Sequence, residues 1–141
     1  MKNQTKIITG LLGFIVLIPG IAKFIQPFKT FIYEHLSIIG FPFPGLMQYV
    51  VKISQISVGL MLIYLAFKGN SLRPCLKKQL FYFSNITVIV MMLVAIYTHL
   101  HPVVPARILP MEFKPPVIPI LYIILTLINI YLFRKNLLNG N

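Results

Sequence analysis

Acid is what this sequence lacks. Only two of its 141 residues are Asp or Glu, against 13 Lys and Arg, and the formal net charge is +11. Charged residues of both signs amount to 11 %, where soluble domains carry roughly 25 %, while 57 % of the chain is hydrophobic. So few charges cannot coat a soluble globule, and the length suits one domain, so residues 1–141 read as a single integral membrane domain. Cysteine is nearly absent too. Cys75 alone excludes an internal disulfide and a CxxC redox pair, so a thiol relay would have to borrow its second sulfur from another protein. There is also no Ser/His/Asp set, no phosphate loop and no pair of carboxylates within one apolar span. That argues against a stand-alone hydrolase or kinase and leaves any catalytic residue unknown. No internal repeat or low-complexity tail is present.

What the chain has in abundance is apolar length. Four spans are expected, over about 7–28, 46–67, 80–98 and 117–133. Lys2 and Lys6 ahead of Ile7–Ile18 also resemble a signal peptide, with Gly20-Ile21-Ala22 as its cleavage region. Cleavage would leave three spans and a lysine-rich loop on the wrong side, so a retained first helix is expected. The bases sit at the ends of the apolar spans and form no groove-binding patch, which excludes nucleic acid as the partner and leaves the lipid bilayer.

Their distribution sets an orientation. Lys2, Lys6, Lys68, Arg73, Lys77, Lys78, Arg134 and Lys135 fall on one side, and only Lys29, Arg107 and Lys114 fall in connectors on the other. Both termini are therefore expected in the cytoplasm, with the histidines and both acids outside. The simplest fold is an all-α antiparallel four-helix membrane bundle with an interfacial helix in the first outer loop, over Thr30–Ile39. On that helix Phe31, Ile32, Leu36 and Ile39 should point down toward the bilayer, with Glu34 and His35 pointing elsewhere. Gly13, Gly20 and Pro27, seven apart, should let a neighbouring helix approach the first span, and Pro19 should kink it. The prolines at 102, 105, 110, 115, 116 and 119 should stiffen a lid over the bundle.

The second span organises the rest. Gln48, Lys52, Gln55 and Gly59, four, three and four apart, share one helical face on an apolar helix. Such a stripe is unfavourable against lipid and must turn to other helices or to a watery cavity. Counting along the helices puts Lys23 and Lys52 at one depth, about 6–9 Å below the outer surface, with Gln55 a turn deeper. An outward-opening pocket of Lys23, Lys52 and Gln55, with Gln48 nearby, would suit an anionic or quinone-like ligand. The competing reading is that Lys52 snorkels to the headgroups while Gln55 ties two helices together. Glu34 and Glu112 would neutralise the lysines of an empty pocket, and Glu112 sits near Arg107 and Lys114 as a loop ion pair. His35, His99 and His101 hang above as loop candidates. Alternating His99 and His101 are a weak metal signal, and no metal site is expected. Asn85 and Asn129 lie at matching depths toward the other side as a second polar pair.

Three short motifs carry a resemblance. Gly20-Ile21-Ala22-Lys23-Phe24 looks like the Gly-x-x-Lys end of the first helix in DoxX-like membrane proteins. Gly40-Phe41-Pro42 resembles the Gly-x-Pro before their second helix, and Gln55 to Gly59 falls where they usually have Glu-x-x-x-Gly. The resemblance implies a four-helix bundle associated with redox complexes, such as the small subunit of thiosulfate:quinone oxidoreductase, in a bacterial inner membrane. Gln55 departs from it, removing the acid that would partner Lys23 and Lys52.

The function expected is a subunit or quinone/anion-binding module of a membrane redox system, working with a partner oxidoreductase or as a homo-oligomer. Quinone is the cofactor contemplated, and no covalent cofactor motif is present. The alternative is a non-catalytic chaperone or assembly factor that binds another membrane protein, the role of a related animal branch.

Overall fold

The computed structural model describes residues 2–109 and 112–138, and among them the regular structure is entirely helical. The helices are α1 (Asn3–Ala22), α2 (Phe28–Ile38), α3 (Pro44–Lys68), α4 (Pro74–Leu100) and α5 (Val117–Leu138), with single 3₁₀ turns at Gly69–Ser71 and Ala106–Ile108. Of these, α1, α3, α4 and α5 are each long and apolar enough to cross a membrane. Pro110 lies outside the described residues.

Proline sets several boundaries. The first helix ends at Ala22, short of the expected residue 28, because Pro27 lacks an N–H and disfavours helical backbone at the residue before it. Proline suits a first helical turn, so α4 begins at Pro74, and Lys77 and Lys78 stand on that helix where a loop was expected. The second helix ends on Gly40, whose φ of +71° is the left-handed conformation glycine tolerates best. Gly40 N–H donates to the Ser37 carbonyl and Phe41 N–H to that of Leu36, the paired closure of a Schellman motif.

Inside α1, Pro19 withholds the N–H that would have bonded the Ile15 carbonyl four residues back. In a membrane no water stands ready to satisfy that oxygen. The Tyr122 hydroxyl of α5 donates to it instead. The helix continues through Pro19 to Ala22, and a third segment is tied to the break.

The helices meet along a glycine seam between α1 and α3. A Cβ placed on Gly59 would lie 2.8–2.9 Å from Leu17, and one on Gly13 would lie 2.8–3.0 Å from Ile63 and the Gly59 carbonyl. Gly20 sits against Gln55 and Ile56, and Gly10 against Ala66. Of the three residues expected on this face, Gly13 and Gly20 make the contact. Lipid is as apolar as a leucine side chain, so close van der Waals packing, not apolar burial, is what such a seam contributes. Leu12, Val16, Val58, Leu62, Val88 and Met92 form the core where α1, α3 and α4 converge. Nearer the basic end, Phe81 and Phe133 stack at 3.8 Å beneath Leu65. Outward faces carry Ile18, Ile53, Leu60, Phe83, Leu93 and Leu127, all exposed, which suits an acyl environment and no aqueous one.

At the other end, the second connector folds onto α2. Val104, Ile108 and Leu109 are buried against Phe31, Ile38 and Ile39. The apolar residues of α2 expected to point at the bilayer are therefore divided. Phe31 and Ile39 meet the connector, while Ile32 and Leu36 line an internal cavity.

Candidate ligand-binding site

The inward stripe of α3 is where helical spacing put it. Lys52 is 0 % exposed and Gln55 4 %, and the close contact of Gly59 with Leu17 allows α1 to lie along the same face. Lys23, just past the end of α1, reaches across and its Nζ donates to Gln55 Oε1 at 2.6 Å.

The stripe nevertheless divides into two groups. Gln55 lies about 60° around the helix from Lys52, since three residues advance about 300°. Gln55 and Lys23 open on a cavity of about 330 Å³ bounded by α2, α3 and α4. Lys52 and Gln48 do not line it. Lys52 Nζ donates instead to Gln48 Oε1 at 2.9 Å, one turn back, and sits 5.4 Å from the Phe24 ring centroid and 5.2 Å from that of Tyr49. Two ring faces and an amide oxygen thus hold a buried ammonium with no carboxylate beside it. The expectation of one pocket shared by both lysines is corrected to a lysine-and-amide wall (Lys23, Gln55) with a separate aromatic cage beside it.

The acids do not neutralise either lysine. Glu34 and Glu112 form no ion pair with any described residue, and neither lines the cavity. Glu34 precedes His35 by about 100° of helical turn and so lies off the lining face. Glu112 is exposed in left-handed backbone, φ +55°, and the expected loop pair with Arg107 or Lys114 is not made.

His35 occupies the position Glu34 does not. Ile32, His35 and Leu36 are three and four apart and share the cavity face of α2, which corrects the expectation that His35 points away from the apolar residues. Its Nε2 is buried and has no hydrogen-bond partner. Burial lowers its pKa to about 4; the Ile108 backbone opposes the shift, and the charges of His99 and Lys23 add to it. Residues from the end of α1, from α2 and from the end of α4 thus converge on one polar corner.

His99 is buried at the end of α4, and its Nδ1–H donates to the Lys114 carbonyl at 3.0 Å. Lys114 Nζ returns a bond to the Pro102 carbonyl at 3.3 Å. His101 stacks edge-on to Tyr97, with Nδ1 buried and unpartnered. Among the described residues no three His, Cys, Asp or Glu side chains stand together as a metal site.

Sequence reasoning missed the α4 wall. Thr87, Met91, Val94, Ala95 and Thr98 line the cavity at spacings of four, three, one and three, which is one face of a helix. Both threonine hydroxyls donate to their own helix, at Phe83 and Val94, so this wall presents apolar surface and lone pairs. The signal was present in the sequence, but a lone threonine in an apolar span is ordinary. Ser54, next to Gln55, completes the polar lining.

The predicted Asn85–Asn129 pair forms at the opposite end. Asn129 Nδ2 donates to Asn85 Oδ1 at 3.0 Å, and Asn85 Nδ2 to the Phe81 carbonyl at 2.7 Å. The Thr9 hydroxyl lies 2.8 Å from Asn129 Oδ1 and 2.6 Å from the Thr5 carbonyl, and its one proton serves both. Asn136 donates to the Thr5 hydroxyl. This network joins α1, α4 and α5.

Four helices able to cross a membrane, with polar side chains turned inward, define the class: a multi-pass, all-helical membrane protein. Comparison with protein-family models, curated proteins and solved structures finds no match for this chain.

Proposed function

We propose that this chain is a small ligand-binding module of a membrane redox system, of the DoxX-like kind its motifs resemble. Its cavity would hold the polar head of a quinone-like or anionic amphiphile. The observation that carries this reading is the make-up of that cavity. An ammonium steadied by Gln55 and a buried histidine nitrogen without a partner sit at one end, and valine, methionine and alanine from α3 and α4 line the rest. Such a cavity accepts a hydrogen-bond acceptor at its polar corner and an apolar tail between two membrane helices. Lys23 retains protons not committed to Gln55, and a bond from them to a carbonyl or anionic oxygen is charge-assisted.

The same reading takes the four long helices as an antiparallel, up-down bundle. Pairings that run in opposite directions along the chain support it: Gly10 with Ala66 and Gly20 with Gln55, and likewise Phe81 with Phe133 and Asn85 with Asn129. α2 then lies near the outer headgroups, both termini face the cytoplasm, and the membrane is a bacterial inner membrane. Lys23 and Gln55 hold the ligand, His35 closes on it, and Lys52 with Gln48 fixes the end of α1 through Phe24.

A short-tailed benzoquinone titrated into the detergent-purified full chain tests this. One equivalent should bind, and Lys23→Met should weaken binding about tenfold or more, the usual effect of deleting a charged hydrogen-bond donor. Equal binding by Lys23→Met, or none by the parent chain, refutes the quinone reading. A stoichiometric membrane-protein partner without any small molecule would support the assembly-factor alternative.

A further inference from the structure

A second cavity lies far from the first, at the basic end of the molecule. It is a groove of about 370 Å³ between the start of α1 and the end of α3. Gly10 and Ala66 form its floor. They are small and close enough that a Cβ on Gly10 would be 3.4 Å from that of Ala66, so the helices meet there without filling the space above. Leu11, Phe14 and Phe67 wall it, and all three are exposed. Lys6, half-buried, stands at the mouth.

The charge around the groove restricts what covers it. Lys2 lies one turn before Lys6 on the same side of the chain, and Lys68 follows Phe67 at the end of α3. The chain's two acids, Glu34 and Glu112, belong to the connectors at the opposite end. A second copy placed side by side in the same orientation would bring lysines to lysines. An apolar helix would fill the groove but leave Lys6 without a counter-charge. A molecule with a hydrocarbon tail and an anionic head satisfies both features. We propose that this groove is a binding site for one anionic phospholipid, its acyl chain over Gly10 and Ala66 and its phosphate on Lys6.

The site is independent of the ligand cavity between α2, α3 and α4 and does not rest on that proposal. Its test is native mass spectrometry of the delipidated full chain titrated with phosphatidylglycerol or with phosphatidylcholine of the same acyl chains. The parent chain should take up one phosphatidylglycerol in preference to phosphatidylcholine. Lys6→Gln should reduce that preference about fivefold, the effect of one basic residue on an anionic headgroup, and Lys6→Arg should retain it. Lys135→Gln, at the same end but outside the groove, should change nothing. Equal uptake of the two lipids by the parent chain overturns the proposal. So does an unchanged preference in Lys6→Gln, or an equal loss in Lys135→Gln, which would reduce the effect to general attraction by a basic surface.

Discussion

Removing the Tyr122 hydroxyl tests whether the bundle was built around the proline in its first helix. Pro19 leaves the Ile15 carbonyl without its backbone donor, and Tyr122 supplies a replacement from α5. Tyr122→Phe keeps the ring among the core side chains it packs against and removes only the donor. A buried carbonyl left unpaired costs about 1–3 kcal/mol. Interhelical hydrogen bonds in membranes average nearer ~0.6 kcal/mol and reach about 1.7, because the unfolded chain also finds partners in lipid. The expected loss is therefore about 1–2 kcal/mol, measured as the shift in an SDS-driven unfolding curve in mixed micelles. The decisive measurement is the same substitution in a Pro19→Ala background. There the residue 19 N–H bonds the Ile15 carbonyl, so losing the hydroxyl should cost below about 0.5 kcal/mol, a coupling near 1 kcal/mol in the double-mutant cycle. An equal cost in both backgrounds would mean that Tyr122 acts through packing or a different acceptor, and the argument from the missing N–H would fail.

Two further outcomes follow from the geometry. Gly59→Ala puts a methyl 2.8–2.9 Å from the Cβ, Cα and N of Leu17, where backbone cannot yield, and should destabilise by about 1–3 kcal/mol. Gly45→Ala meets nothing within 4 Å and should be neutral or stabilising by up to ~1 kcal/mol, so thermal unfolding should fall for Gly59→Ala and not for Gly45→Ala. For His35, a folded pKa of about 4 against 6.5 means that the unfolded form binds the proton more readily between those values. Packing of α2 on the second connector should be fully stable above about pH 6.5 and weaken as pH falls toward 4, with an upper limit of about 3 kcal/mol. Faster hydrogen exchange of α2 amides at pH 4.5 than at pH 7, after correction for intrinsic rates, checks this, and His35→Phe should abolish the pH-dependent part.

What was legible in the sequence is what helical pitch and membrane length dictate. Charge scarcity and four apolar runs gave the number of spans, and residues four and three apart put Lys52 and Gln55 on a buried face. Counting depth at 1.5 Å per residue pairs Asn85 with Asn129, as the structure does, but it sets Lys23 level with Lys52, whereas the Lys23 ammonium bonds Gln55, a turn deeper. Pitch does not say which neighbour a face will meet. The 60° between Lys52 and Gln55 is negligible on a helical projection, but it separates a cavity wall from an aromatic cage. For the same reason a projection groups Glu34 with His35, though one residue of rotation takes the carboxylate off the lining face and leaves the imidazole on it.

The partners missed altogether were those that exist only because another segment created a need. Nothing local marks Tyr122 as a donor to α1, because its acceptor became available through a proline 103 positions earlier. Thr5 and Thr9 are unremarkable near a helix start, but across α1 they complete a bridge between two asparagines and a third on α5. In a bilayer each such unsatisfied group is costly wherever it arises, since no solvent is there to cap it. Polar residues in this chain are therefore best read in pairs of supply and demand across helices. By that criterion three groups among the described residues are buried without a partner, His35 Nε2, Ser84 Oγ and His101 Nδ1, and of these three only His35 lines the cavity. His35 Nε2 is buried on the wall of a cavity beside the Lys23 ammonium, with no bond to protein, and that unmet demand is the strongest reason to look there for a ligand.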